Sequence, residues 1–168
     1  MKKISILIFC LVSASFVFGQ LPSTEKPVYL RFPTVPQFNL FKAPDSTLYT
    51  KSQLKKNKPV MFFIFSPECG HCQRATEMIV KNMDKFKDIQ ILMISYFPLG
   101  EIRQFYNRYK LGRFSNVTVS RDTKFYFPTF FQVRNFPSYY IYDKNWNFRK
   151  FLEGDVTVAT LTKELTFR

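Results

Sequence analysis

Two cysteines that directly follow a long apolar run constrain the fold of this chain most strongly. Residues 59–65 are continuously apolar, and a short Ser-Pro-Glu break separates them from Cys69 and Cys72. A continuous apolar run of this length is typical of a strand covered on both faces. After the pair, apolar residues such as Ala75 and Ile79 recur at helical spacing. The sequence therefore predicts a buried strand that leads, through the cysteine pair, into an amphipathic helix.

The spacing of Cys69 and Cys72 suits reversible disulfide chemistry. Two thiols at this spacing can close into a small disulfide ring and reopen with little backbone movement, as thiol–disulfide exchange requires. A purely structural bridge is the alternative, but closing so short a loop removes little entropy from the unfolded chain. We therefore interpret the pair as a redox-active disulfide.

The N-terminus has the pattern of a secretory signal peptide. Two lysines precede an apolar stretch over residues 4–18, and the small residue Gly19 ends it. We predict a signal peptide over residues 1–19 and a mature protein in the periplasm, the cell envelope or the extracellular medium. The alternatives are an uncleaved anchor and a lipoprotein acylated on Cys10. An exported protein meets an oxidising compartment, where exposed thiols form disulfides.

The charge and length of the chain further limit its possible partners and its number of domains. The formal net charge is +13 over 168 residues, but the basic residues are spread along the chain. We find no dense basic block and no nucleic-acid motif, so the charge predicts a solvated basic surface. A weak attraction to acidic partners or anionic membrane surfaces is the alternative. The length fits one domain, which we place at residues 34–168 after an extended, proline-punctuated lead-in over residues 20–33.

Strand and helix patterns alternate along the rest of the chain. A hairpin is predicted before the cysteine pair, and strands, helices and a second hairpin follow it. The predicted ranges are a hairpin over residues 38–50, strands over 89–95 and 116–120, helices over 99–111 and 157–165, and a hairpin over 138–151.

This order of elements, with Cys69-x-x-Cys72 at a helix start and Pro137 before the second hairpin, resembles the thioredoxin fold. The N-terminal hairpin and a helix and strand inserted between the pair and Pro137 resemble the TlpA-type and redoxin branch of exported bacterial oxidoreductases. The resemblance covers residues 34–168 and implies an α/β fold, with a central mixed β-sheet flanked by helices. It also implies disulfide exchange with protein thiols, an external redox partner and no cofactor.

The resemblance and the chemistry of the residues together assign roles. Cys69, at the helix N-terminus, is the expected nucleophile, because backbone N–H groups and the helix dipole stabilise a thiolate there. Cys72, one turn later and more buried, is expected to resolve the mixed disulfide. Gly70 would let the substrate approach closely. Pro137 matches the cis-proline that faces the cysteines in this fold, and the backbone of Phe136 would pair with the substrate.

The residue between the cysteines is His71, the only histidine of the chain. An imidazole beside Cys69 would help to hold the thiolate. A more stable thiolate favours the dithiol form and makes the disulfide more oxidising. The Cys-Gly-His-Cys motif also occurs in protein disulfide isomerases, so the resemblance implies an isomerase-like or oxidising poise.

The chain departs from the family pattern around Cys72. Thioredoxins carry a buried acid six residues before the first cysteine, where this chain has Phe63. TlpA-type proteins often have a glutamate three residues after the second cysteine, where this chain has Ala75. Glu77 could substitute as proton acceptor, but its helical spacing predicts a solvent-facing side chain. Glu68, next to Cys69, would oppose the thiolate if it lay close.

Other cysteine chemistry fits the sequence less well. A structural zinc site needs four ligands, and two cysteines and one histidine do not supply them, so we predict no metal. A c-type haem needs histidine directly after the second cysteine, where Gln73 stands. A thiol peroxidase of the redoxin type matches only in part, because Ser66 fits its motif and Phe62 does not. A non-catalytic thioredoxin-like binding module is the remaining alternative.

Overall fold

Seven strands form the sheet of the protein, in a computed structural model that describes residues 26–166. The predicted signal peptide, residues 1–19, lies outside the described residues. The strands are β1 (Asn39–Lys42), β2 (Leu48–Thr50), β3 (Val60–Ile64), β4 (Gln90–Ser95), β5 (Val117–Arg121), β6 (Ser138–Tyr142) and β7 (Phe148–Glu153). The helices are α1 (Val28–Arg31), α2 (Gly70–Lys81), α3 (Leu99–Arg108), α4 (Tyr126–Phe131) and α5 (Val158–Thr166). Short 3-10 turns occur at Lys51–Gln53, Met83–Phe86 and Leu111–Arg113.

The sheet is mixed, and its strand order is β2-β1-β5-β4-β3-β6-β7. The central strands β3, β4 and β5 are parallel, whereas β6 and β7 pair antiparallel on one side and β1 and β2 on the other. The N-terminal hairpin is β1–β2, and the inserted helix and strand are α3 and β5. The predicted thioredoxin-like fold with these two additions is therefore confirmed.

Strand β3 is apolar throughout because helices cover both faces of the sheet. All five of its residues are buried, and their side chains alternate between two clusters. Met61 and Phe63 face a cluster that includes residues of α2, α3 and α5. Phe62 and Ile64 face an aromatic-rich cluster that includes residues of α1 and α4. Alternating side-chain direction along a strand explains how one continuous apolar run supplies both cores.

The lead-in is not wholly extended, which corrects the prediction for residues 20–33. Residues Val28–Arg31 form the short helix α1, and the Leu30 N–H donates to the Pro27 carbonyl oxygen at 2.9 Å. Tyr29 anchors this turn because its ring packs edge-on against Tyr140 and Phe148 at centroid distances of 5.3 Å and 5.2 Å. Burial of one aromatic side chain thus overrides the extended preference of the surrounding prolines.

Membrane spans are not found in the part of the chain that the structure describes: none of its helices combines the required length and apolarity.

Candidate active site

The end of β3 and the start of α2 position the cysteine pair. After β3, a turn forms in which the Cys69 N–H donates to the Ser66 carbonyl oxygen at 3.2 Å. Cys69 itself has extended backbone angles and precedes the first helical residue, Gly70. The Gln73 N–H then donates to the Cys69 carbonyl oxygen at 3.0 Å, which begins the helix. Cys69 therefore lies at a helix N-terminus, where unpaired N–H groups and the dipole favour negative charge.

The two cysteines differ sharply in burial. Both are free thiols, and Cys69 is partly exposed whereas Cys72 is completely buried. Cys72 packs in the same cluster as Phe63 and Phe65 of the β3 region. Burial raises the pKa of the Cys72 thiol well above its ordinary value, and the neighbouring Cys69 sulfur adds to this effect. The buried Cys72 thiol is therefore harder to ionise than an exposed thiol, whereas Cys69 is partly exposed to solvent.

The loop before β6 faces Cys69. The Phe136–Pro137 peptide bond is cis, and the Cys69 thiol donates to the Phe136 carbonyl oxygen at 3.7 Å. Pro137 is buried, and Phe136 is partly exposed. The structure therefore brings Phe136 and Pro137 to the cysteine pair, although they are more than 60 residues away in sequence.

His71 lies in a group of charged side chains that the sequence analysis missed. Its Nδ1 atom is 2.7 Å from Asp155 Oδ2 and 2.7 Å from Arg74 Nη2. Arg74 Nη2 also donates to Asp155 Oδ2 at 3.2 Å. The hydrogen bond from His71, and after it the one from Arg74, holds the pKa of the Asp155 carboxyl below its ordinary value. Arg74 could have been found from its position one helical turn after His71.

Gly70 is exposed at the start of α2. A Cβ atom at this position would meet Arg74 Nη1 at 3.6 Å, an ordinary contact. The fold itself therefore does not require a glycine here, and the role of Gly70 in substrate approach stays a prediction.

Both positions where the family carries an acid are apolar and buried. Phe63 and Ala75 pack in the same cluster as Cys72. Glu77 and Glu68 are both exposed, which agrees with the solvent-facing direction predicted for Glu77. Within residues 26–166 the one buried carboxylate is Asp122, which accepts hydrogen bonds from the backbone N–H groups of Lys124 in the β5–α4 loop and Phe127 in α4. The cluster around Cys72 is therefore apolar.

Metal-binding geometry is absent from the described residues, which contain no group of three or more His, Cys, Asp or Glu side chains able to hold an ion. The Nδ1 atom of His71 is hydrogen-bonded to Asp155 and Arg74. The reactive groups at this place are the two thiols, Cys69 and Cys72, at the start of α2.

Solved structures with this fold include several exported or redox proteins. A secreted disulfide oxidoreductase of Mycobacterium tuberculosis, homologous to E. coli DsbE, is 16% identical, with a TM-score of 0.63 over 77% of this chain and 94% of its own. The MTB dsbF protein is 21% identical, with a TM-score of 0.67 over 79% and 98%. A putative thiol:disulfide interchange protein DsbE from Chlorobium tepidum is 18% identical, with a TM-score of 0.65 over 78% and 92%.

The family comparison covers most of the chain. Residues 49–168 match the thioredoxin-like domain, whereas no curated protein matches the sequence. The matched range begins in β2 and includes the cysteine pair, the loop with Pro137 and helix α5. The chain therefore belongs to the thioredoxin-like domain family.

Proposed function

We propose that the protein is an exported thiol–disulfide oxidoreductase of the TlpA-type branch, which exchanges disulfides with protein thiols through Cys69 and Cys72. The observation that carries this proposal is the asymmetry of the pair. One thiol is accessible at the N-terminus of α2, and the other is completely buried one turn below it. This is the arrangement that a nucleophile and a resolving thiol require.

The exchange proceeds in two balanced steps. The Cys69 thiolate attacks one sulfur of a substrate disulfide, and the electron pair of the broken bond leaves on the other substrate sulfur, which takes up a proton. The Cys72 sulfur then loses its proton and attacks Cys69, so that the remaining substrate sulfur leaves as a thiol. The products are a Cys69–Cys72 disulfide and two substrate thiols. An external dithiol partner must reduce the pair before the next turnover, or an oxidant drives the reverse reaction.

The loop before β6 is the proposed binding site for the substrate backbone. The Phe136 carbonyl oxygen lies within hydrogen-bond reach of Cys69, so a peptide that contacts this sulfur also passes the backbone of Phe136. Gly70 and Pro137 directly follow Cys69 and Phe136 in the chain, and we propose that they also contact such a peptide. A free extended segment is therefore a better substrate than a disulfide buried in a rigid fold.

Export is part of the proposal and rests on the N-terminal segment. The pattern over residues 1–19 and the secreted neighbour from Mycobacterium tuberculosis both favour a periplasmic, envelope or secreted location. The proposed partners are protein disulfides or dithiols and a separate redox protein, and nucleic acid is not among them. The net charge of +13 favours weak attraction to acidic partners or anionic membrane surfaces.

Insulin reduction by dithiothreitol tests the proposed function. The purified mature chain should accelerate the precipitation of reduced insulin, and Cys69→Ser should abolish the acceleration. Hydrogen peroxide consumption, measured with the same preparation, separates exchange from a thiol peroxidase. Rapid peroxide turnover without insulin reduction would support the peroxidase instead, and the absence of both activities would support a binding module.

A further inference from the structure

A carboxylate from a distant loop contacts the residue between the two cysteines. Asp155 follows β7 and stands 84 positions after His71, yet their Oδ2 and Nδ1 atoms are 2.7 Å apart. Arg74 completes the group, with Nη2 at 2.7 Å from the same His71 nitrogen and 3.2 Å from the same Asp155 oxygen. The three side chains therefore form one closed set of contacts beside the cysteine pair.

The backbone fixes the position of this carboxylate. Gly154, the preceding residue, has φ +72, in the left-handed region, although a Cβ there would meet no heavy atom within 4 Å. Glycine is therefore favoured at this position by the left-handed backbone conformation and not by a close contact. Its N–H donates to the Pro137 carbonyl oxygen at 2.8 Å. The loop with Asp155 is thus tied to the same loop that faces Cys69.

The His71 nitrogen has two competing partners. Nδ1 of an imidazole either carries a hydrogen and donates, or carries a lone pair and accepts. It donates to Asp155 in the first case and accepts from Arg74 in the second. In both cases Asp155 pairs with the Arg74 guanidinium, and in the first case it also accepts the histidine hydrogen.

Compensation of positive charge affects the cysteine at the start of the helix. A Cys69 thiolate is stabilised by the helix N-terminus and by any nearby cation. A more stable thiolate favours the dithiol form and raises the reduction potential of the couple. Asp155 neutralises Arg74, whose guanidinium lies beside Gly70, the residue next to Cys69. It therefore has the opposite effect and favours the disulfide.

We propose that Asp155 is a positioning residue that lowers the reduction potential of the Cys69–Cys72 couple, by holding the His71 ring and neutralising Arg74. This inference rests on the proposed function, because it concerns the reduction potential of the same two cysteines. The site is accordingly more reducing than its Cys-Gly-His-Cys motif alone implies. The substrate class that fits is a protein disulfide to be reduced, rather than a dithiol to be oxidised.

Equilibration of the purified protein with glutathione buffers tests this inference. Asp155→Asn should shift the equilibrium constant towards the dithiol by about two- to fivefold, since the three side chains are between 56% and 60% exposed and solvent screens them. Arg74→Gln should shift it towards the disulfide, and the double variant should lie between the two. Asp88→Asn is the matched control, because this exposed aspartate pairs with Lys58 at 3.9 Å.

Nitrogen NMR of the imidazole gives a second readout. His71 is the only histidine, so its ring signals are unambiguous, and Asp155→Asn should shift the Nδ1 resonance whereas Asp88→Asn should not. An unmoved resonance, or a potential that Asp155→Asn leaves unchanged or lowers, would overturn the inference while leaving the proposed function intact. A wild-type chain that never equilibrates with glutathione would refute the proposed function and, with it, this inference.

Discussion

The difference in burial between the two thiols predicts a large difference in their rates of alkylation. In the reduced protein, iodoacetamide at pH 7.5 should modify Cys69 and leave Cys72 almost untouched. Only the thiolate reacts, so the rate depends on the ionised fraction as well as on access. Cys72 is completely buried, and burial, reinforced by the Cys69 sulfur, raises its pKa.

The size of this effect follows from the burial. Complete burial shifts the pKa of an ionisable group by up to about 3 to 5 units, and each unit lowers the thiolate fraction about tenfold. Three units already leave about a thousandfold less thiolate on Cys72 than on an ordinary accessible thiol. If Cys69 is only as reactive as such a thiol, the expected rate ratio in the folded protein is about a thousand.

Mass spectrometry measures this ratio directly. Fragment ions locate the label within the peptide that contains both cysteines, at a series of reaction times. In guanidinium chloride the two cysteines should react at similar rates, which controls for differences in intrinsic reactivity. In Cys69→Ser, the remaining Cys72 should stay slow as long as the protein is folded. Labelling of Cys72 within tenfold of Cys69 in the folded protein would refute the reasoning.

Three further predictions concern titration, buried hydroxyls and processing. Burial raises the folded-state pKa of Cys72, so the reduced protein should lose stability relative to Cys72→Ala as the pH rises. The loss should begin only above the unfolded thiol pKa of about 8.5, and it should amount to up to about 1.4 kcal/mol per pH unit. Denaturant unfolding from pH 7 to 10 measures this difference, and a constant difference would contradict it. The hydroxyls of Tyr139 and Tyr142 are buried without a hydrogen-bond partner among the described residues, so either Tyr→Phe change should raise the free energy of unfolding by about 1 kcal/mol. Tyr140→Phe, which loses a 3.1 Å hydrogen bond to a backbone carbonyl, should lower it by a similar amount, and equal losses in all three variants would refute this contrast. Mass spectrometry of the exported protein should find Gln20 at the N-terminus, and an intact Met1 would contradict cleavage.

The strand, the cysteine pair and the helix after it could be predicted because their signals are local. The apolar run of β3 shows that both faces of the strand are covered, and it needs no knowledge of which helices cover it. The apolar repeat that begins at Ala75 continues to Phe86, but α2 ends at Lys81. The Asn82 side chain donates to the Met78 carbonyl oxygen at 2.9 Å and so satisfies the helix end. An apolar repeat records burial and does not distinguish an α-helix from a following 3-10 turn.

The contact of Asp155 with His71 could not be predicted from local patterns. It depends on the register of the β6–β7 hairpin, in which Ser138 pairs with Glu153, and on the left-handed backbone of Gly154. Likewise, the prolines around α1 predicted an extended segment. The segment is helical because Tyr29 packs against Tyr140 and Phe148, which lie far along the chain. Both features thus depend on contacts between residues far apart in sequence, which local patterns do not indicate.

Trapping of a mixed disulfide tests the central claim most directly. Cys72→Ser, incubated with a peptide that carries one disulfide, should form a covalent adduct, because the resolving thiol is gone and the first step is retained. Fragment-ion mass spectrometry should place the peptide on Cys69, and dithiothreitol should release it. Cys69→Ser, with the buried Cys72 alone, should form no adduct under the same conditions. A chain that forms no adduct in Cys72→Ser, or an equal adduct in Cys69→Ser, would contradict an exchange reaction that begins at Cys69.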